Sequence, residues 1–196
     1  MAGLRPAPGL RQGGITLRQG GITLIEALIV LLVVAISLAW GVPSLREVRH
    51  RNVLALEVNR FLQAAQLART EAVMRNIPVS ICPSPMATTG RRACAGTYDD
   101  GWIVFSNPNR DKVLNLETEE VLRVYAGTSR GFSITDRGGS RAAAELINYL
   151  PDGSSRRNRT LLFCPPAGST VSSASLVFNV IGRVRQTRGQ GGCPRT

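Results

Sequence analysis

Between Ile22 and Val42 the chain reads ITLIEALIVLLVVAISLAWGV, 21 residues carrying a single charge, Glu26. Wound as an α-helix, such a run is about 30 Å long, the thickness of a bilayer's hydrocarbon core. It reads as one membrane anchor. The preceding stretch, MAGLRPAPGLRQGGITLRQGG, holds three Arg and no acid. Basic residues beside a span stay cytoplasmic, so the C-terminal side is expected to face outward. A secretory signal peptide would have a shorter apolar region followed by a small-x-small cleavage site. Here the run is long and continues past Pro43 into a helical pattern, so cleavage after it is not expected. Glu26 stands where an unpaired carboxylate costs several kcal/mol. Either it reaches the interface or takes up a proton, or it has a cationic partner within the membrane.

Beyond Pro43 the chain turns more polar while helical spacing persists. Leu54, Val58, Phe61, Ala65, Ala68 and Ala72 recur at steps of four and three, one face of a helix. Asn76 to Pro78 end it, because the residue before a proline disfavours the helical region. The spacing predicts a helix over 22–75 with a kink near Pro43: a membrane or filament-core half, 22–42, and an amphipathic half, 43–76, packed on a globular domain. From residue 77 to 196 the pattern changes to short apolar runs separated by turn residues. Predicted strands are Val79–Cys82, Trp102–Ser106, Val121–Tyr125, Phe132–Thr135, Leu146–Leu150, Thr160–Cys164 and Leu176–Ile181, the last extending toward Arg185. Arg137–Ala144 is too mixed to assign. A long helix followed by antiparallel sheet is an α+β arrangement.

Charge is the next constraint. The chain has 24 basic and 13 acidic residues, and Lys112 is the only Lys. A GC-rich genome accounts for Arg in place of Lys, but not for the excess of bases over acids. Residues 153–196 hold seven Arg, at 156, 157, 159, 183, 185, 188 and 195, and no acid. Such a chain is expected to meet phosphate, anionic lipid or an acidic partner. Arg183 and Arg185 are two apart, so on an extended strand they share a face; Arg188 follows, and the Gly-rich end leaves the backbone accessible. A same-face arginine pair suits successive phosphates, since guanidinium binds phosphate bidentately. On charge alone a solvated arginine face is an equally good reading.

The four cysteines, 82, 94, 164 and 193, are an even number on the outward side of a membrane, which suggests disulfides. Zinc usually takes Cys pairs two to four residues apart, a spacing missing here. Three disulfide pairings are possible. Nothing in the sequence points to an enzyme, a cofactor or a metal site. The single His, His50, sits between Arg49 and Arg51 and reads as a surface residue rather than a base. Asp99 and Asp100 are adjacent before a strand, where neighbours diverge and make a poor acid/base pair. Phosphate loops and nucleophile elbows are missing. Asn158-Arg159-Thr160 matches a glycosylation triplet too common to be informative.

Gly21-Ile22-Thr23-Leu24-Ile25-Glu26 resembles the prepilin peptidase site of type IV pilins and type II secretion pseudopilins, G-F-T-L-I-E, with Ile22 in place of the usual Phe. The resemblance implies that the peptidase removes residues 1–21 by cutting after Gly21 and methylates Ile22. It implies that Glu26 pairs with the terminal amine of a neighbouring subunit, and it places Pro43 where pilins carry a helix-kinking proline. Residues 11–17, RQGGITL, are repeated at 18–24, but the first copy lacks the Glu and reads as a local duplication with no function of its own.

Further along, Leu67-Ala68-Arg69-Thr70-Glu71-Ala72, Val79-Ser80-Ile81-Cys82-Pro83-Ser84, Asp100-Gly101-Trp102-Ile103-Val104-Phe105 and Gly182-Arg183-Val184-Arg185 with Cys193 behind it resemble the FimT/GspH family of minor pilins and pseudopilins. That resemblance implies a long N-terminal helix on an antiparallel sheet. It also points to Cys82–Cys94 and Cys164–Cys193, the pairing in which each bond closes a local loop. Some FimT-type pilins bind DNA through a C-terminal G-R-x-R element in natural transformation, so Gly182, Arg183, Arg185 and the nearby Arg188 become a candidate DNA site. The implied function is a minor type IV pilin that joins a pilus or its tip and binds DNA without sequence preference for uptake. The alternative is a GspH-type pseudopilin of a type II secretion system with a structural role only. Expected partners are the prepilin peptidase, other pilins or pseudopilins, the inner membrane and DNA. The expected location is the bacterial inner membrane, with the C-terminal domain in the periplasm, and then the filament.

Overall fold

The computed structural model describes residues 21–115, 117–189 and 191–193, except for the side chains at 39–44. The leader 1–20 and the side chain of Pro43 therefore lie outside the described residues. The chain divides into two compact units, Met1–Val42 and Pro43–Thr196. Helix α1, Leu24–Arg75, contributes to both. It opens on Thr23, whose Oγ1 accepts the Glu26 N–H at 3.3 Å. Thr23-Leu24-Ile25-Glu26 thus has the form of a capping box, a hydroxyl residue followed three positions later by Glu. Glu26 also lies in the first turn, where a carboxylate complements the helix dipole. The large apolar side chains of the first unit, among them Ile25, Leu28, Leu32, Ile36 and Leu38, are exposed. No helix among the described residues is long and apolar enough to cross a membrane.

In the second unit α1 ends at Arg75, and Asn76 adopts a left-handed φ of 54°, a common way for a helix to stop. All six residues of the predicted apolar face, Leu54, Val58, Phe61, Ala65, Ala68 and Ala72, are buried. They lie over two four-stranded antiparallel sheets. The first runs β3-β2-β1-β5, from β1 (Val79–Pro83), β2 (Gly101–Ser106), β3 (Val121–Ala126) and β5 (Ile147–Tyr149). The second runs β4-β6-β7-β8, from β4 (Ser133–Thr135), β6 (Arg159–Cys164), β7 (Ala174–Phe178) and β8 (Val184–Arg188). The fold is α+β. Phe61 is the hub of the core: its ring lies 5.0 Å from Tyr98, 5.1 Å from Trp102, 5.9 Å from Phe163 and 6.2 Å from Phe178. One helical aromatic therefore joins both sheets.

The outer faces are covered as well. On the first sheet Cys82, Ile103 and Phe105 form a small core beneath Met86 of the short helix α2 (Met86–Thr89) and Cys94. The Cys82–Cys94 disulfide pins that cover. On the second sheet the tail after β8 folds back: Gly189 N–H bonds to Ser173 O at 2.8 Å, and a Cβ on Gly191 would meet Leu162. Cys164–Cys193 fastens it. The Gly-rich end is tied to the sheet at Gly189 and Cys193, while Gly189, Gly191 and Gly192 stay exposed, so its backbone remains accessible as expected.

The predicted strand Leu176–Ile181 is two strands. β7 stops at Phe178 and the chain returns as β8, with Gly182 at φ +77° in the turn. Val180 and Ile181 extend the apolar pattern into that turn, although both are exposed.

Candidate nucleic-acid interface

β8 is the edge of its sheet, paired with β7 in the register Phe178↔Val184, Leu176↔Gln186 and Ala174↔Arg188. Phe178, Leu176 and Ala174 belong to the core, so Val184 turns inward with them and packs against it. Arg183 and Arg185 flank Val184 and are exposed. The hairpin is closed at its base by Asn179 N–H to Arg183 O at 2.9 Å. Arg183 thus precedes the strand and Arg185 lies on it, with the inward Val184 between them. Together with Leu62, Gln66 and Arg69 of α1 they border a cleft of about 260 Å³, which brings a third arginine to the pair.

Arg188 does not join them. Three residues from Arg185, it falls on the opposite face of the strand. It borders a separate cleft of about 300 Å³ with Arg51. Gly182 is buried at the border of the Arg183–Arg185 cleft and has no side chain to offer a ligand. A Cβ there would run into the carbonyl oxygen of Gly153, so the glycine permits the turn 151–153 and the β7–β8 turn to touch.

Residues 57–182 match the family model described as type II transport protein GspH. The chain belongs to the GspH family. Two crystal forms of the type IV minor pilin FimU of Pseudomonas aeruginosa have a similar fold. One is 19% identical with TM-score 0.43, over 67% of this chain and 90% of FimU. The other is 17% identical with TM-score 0.44, over 70% and 89%. No curated protein gives a significant match.

The acids and the histidine of the GspH-family domain serve its packing. His50 is half-buried against Phe132, with its Nδ1 3.1 Å from Ser169 Oγ. It is not the plain surface residue that its arginine neighbours suggest. The Ser169 hydroxyl donates to Glu47 at 3.1 Å, and the Thr170 N–H donates to the same carboxylate at 3.4 Å. Burial works against the Glu47 charge, but these hydrogen bonds prevail and hold its carboxyl below the usual range. In a hydrolase triad the histidine stands between serine and acid; here serine stands between them, which is a tether from α1 to the β6–β7 loop. Asp99 and Asp100 lie in a turn before β2. Asp99 accepts the Ile134 N–H at 2.6 Å, and Asp100 accepts the Thr97 N–H at 2.9 Å. Burial pushes the Asp99 carboxyl up.

Sequence reasoning passed over Glu57. It is 1% exposed, pairs with Arg60 at 2.8 Å and accepts both the N–H and the hydroxyl of Ser129. An acid beside Val58 on an otherwise apolar helical face, with a base three residues on, was the available signal. Among the described residues no cluster of His, Cys, Asp and Glu could hold a metal ion.

Proposed function

We propose that this chain is a FimT-type minor pilin that captures duplex DNA for uptake. It enters the inner membrane through its apolar helix with the domain on the periplasmic side. The peptidase trims it after Gly21 and methylates Ile22, and it is then incorporated into a pilus or its tip. Its partners are other pilins, which Glu26 engages through a neighbour's terminal amine. The exposed large apolar side chains of the first unit are what a helix covered by lipid or by other helices would present.

The observation that carries the DNA reading is the exposed Arg183–Arg185 pair at a sheet edge, spaced around an inward Val184. Such a pair neutralises phosphates and reads no bases. Arg188, on the other face, adds charge without sharing their phosphates. In a titration of fluorescent duplex DNA with the full chain in nonionic detergent, Arg183→Ala with Arg185→Ala weakens binding to all sequences alike. The slope of log affinity against log salt falls by about 0.9 for each phosphate no longer neutralised. An unchanged slope removes the site. A parent chain that fails to bind DNA at low salt leaves the second reading, a structural pseudopilin of type II secretion, which the description of the matching family favours.

A further inference from the structure

A larger basic cleft lies apart from the one that Arg183 and Arg185 border. A cleft of about 770 Å³ opens between the 107–112 loop, the Glu145–Asn148 segment and the residues that lead into β6. Arg110, Lys112, Arg156, Arg157 and Arg159 border it, against the acids Asp111 and Glu145. Two of these cations have local partners: Lys112 Nζ donates to Ala144 O at 3.1 Å, and Arg159 donates to Leu146 O with Glu145 at 3.5 Å. Among the described residues Arg110, Arg156 and Arg157 form no ion pair, and Arg156 and Arg157 are exposed. Asp111 accepts the Val113 N–H and Asp152 accepts the Ser154 N–H; neither bond cancels the carboxylate's charge, and Asp152 is close enough to Arg156 to offset part of its charge.

The backbone holds these cations in place. Arg110 and Arg156 have left-handed φ values of 60° and 54°, a conformation that costs a non-glycine residue about 1–2 kcal/mol. The other described non-glycine residue at positive φ, Asn76, sits at a helix end. Arg110 is fixed by a loop in which Asn107 Nδ2 donates to Asp111 O at 2.8 Å and its Oδ1 accepts the Asp111 N–H at 3.2 Å. The 155–158 segment is stitched to the β7–β8 turn. Ser155 N–H bonds to Val180 O at 2.9 Å, Ser155 Oγ to Asn179 O at 3.0 Å, and Val180 N–H to Asn158 Oδ1 at 2.9 Å. Gly153 and Gly182 touch just behind. The 153–158 segment and the β7–β8 turn are thus in direct contact, although their sequence positions are far apart. As adjacent strand residues Arg156 and Arg157 would diverge and share nothing; in the structure they are loop residues on a fixed turn.

We propose that this cleft, whose 155–158 border is hydrogen-bonded to the β7–β8 turn, is a second phosphate-binding surface on which the backbone of duplex DNA lies. The proposal rests on the DNA reading above and lengthens its footprint. An open, polar cleft with several unpaired guanidinium groups suits a polyanion that offers a phosphate charge about every 1.7 Å of axis.

The test uses the oxidised full chain in nonionic detergent, a fluorescent mixed-sequence duplex and a salt titration. Arg156→Ala with Arg157→Ala is expected to lower the salt slope by about 1.8, two phosphates at about 0.9 each. Arg91→Ala with Arg92→Ala removes the same charge from an exposed stretch elsewhere and is expected to change the slope by less than half as much. Arg156→Lys with Arg157→Lys is expected to restore it. If the 156/157 alanine pair matches the 91/92 control while the 183/185 pair loses slope, this surface is overturned and the DNA reading stands. If the parent chain does not bind duplex at low salt, both fall. Equal melting temperatures across the variants separate weakened phosphate binding from impaired folding.

Discussion

The carbonyl oxygen of Gly153 occupies the space that a Cβ on Gly182 would need. Gly182 also holds φ at +77°, a region that costs other residues about 1–3 kcal/mol. Gly182→Ala is expected to destabilise the domain by at least about 2 kcal/mol, seen as a lower melting temperature. DNA affinity measured well below that melt should fall only as far as the two turns separate. A variant as stable as the parent would show that the turns need not touch.

Phe61 is fully buried among four aromatic rings, three of them on the two sheets and Tyr98 in the turn before β2. Phe61→Ala removes the ring they share and leaves a cavity, at a cost of about 3–5 kcal/mol. Phe61→Leu should cost clearly less. Denaturant unfolding of both variants checks the order.

Removing the Cys164–Cys193 bond by a double serine substitution frees the tail from Leu162. The expected loss is about 2–4 kcal/mol. Trypsin should then cut near Arg188 faster than in the parent, while a Cys82–Cys94 variant keeps that site protected. Equal cutting in both variants would mean that the tail is held without its disulfide.

Asp99 titrates higher in the folded chain than its ordinary 3.8, because burial outweighs the hydrogen bond from Ile134. The folded state therefore keeps this proton longer than the unfolded state. What the residue contributes to stability is fully present below about pH 4 and falls as pH rises through the raised value. Asp99→Asn keeps an acceptor oxygen and does not titrate. Melting temperatures from pH 3.5 to 6 should drift in favour of the Asn variant; a constant difference would contradict this.

Mass spectrometry of the membrane-extracted protein is expected to find a methylated chain beginning at Ile22. Glu26→Ala should leave cleavage intact and reduce incorporation into filaments. Because Glu26 also sits in the first turn of α1, Glu26→Gln separates the roles: it removes the charge and keeps a side chain able to complete the cap. If Gln assembles as Glu does, the carboxylate charge is dispensable.

The buried face of α1 and most strands were legible because their periodicity reports a local fact, which side of an element meets the core. The α1 face held at all six positions from Leu54 to Ala72. The β7–β8 hairpin was not legible, because Val180 and Ile181 prolong an apolar run that ends at Phe178, and only Gly182 announces the turn. Arg188 was separable from Arg185 by strand parity, an odd spacing that proximity in sequence concealed. The contact between the 155–158 segment and the β7–β8 turn has no local signal, since hydrogen bonds from Ser155 and Asn158 to residues beyond 178 depend on how two loops meet. Thr23 and Glu26 carried a cap signature in plain sight, within the motif that resembles a peptidase site.

Strand β8 ends its sheet, with β7 as its neighbour on one side. An open strand edge invites pairing with another copy of itself. Here that edge bears Arg185 and Arg188, with Arg183 just ahead of it. Two copies meeting edge to edge would set guanidinium against guanidinium, and like charges across a strand pair repel. Charged side chains on an edge strand disfavour such pairing. On the proposed DNA reading, a bound polyanion would cancel that repulsion and bring such edges within reach of one another.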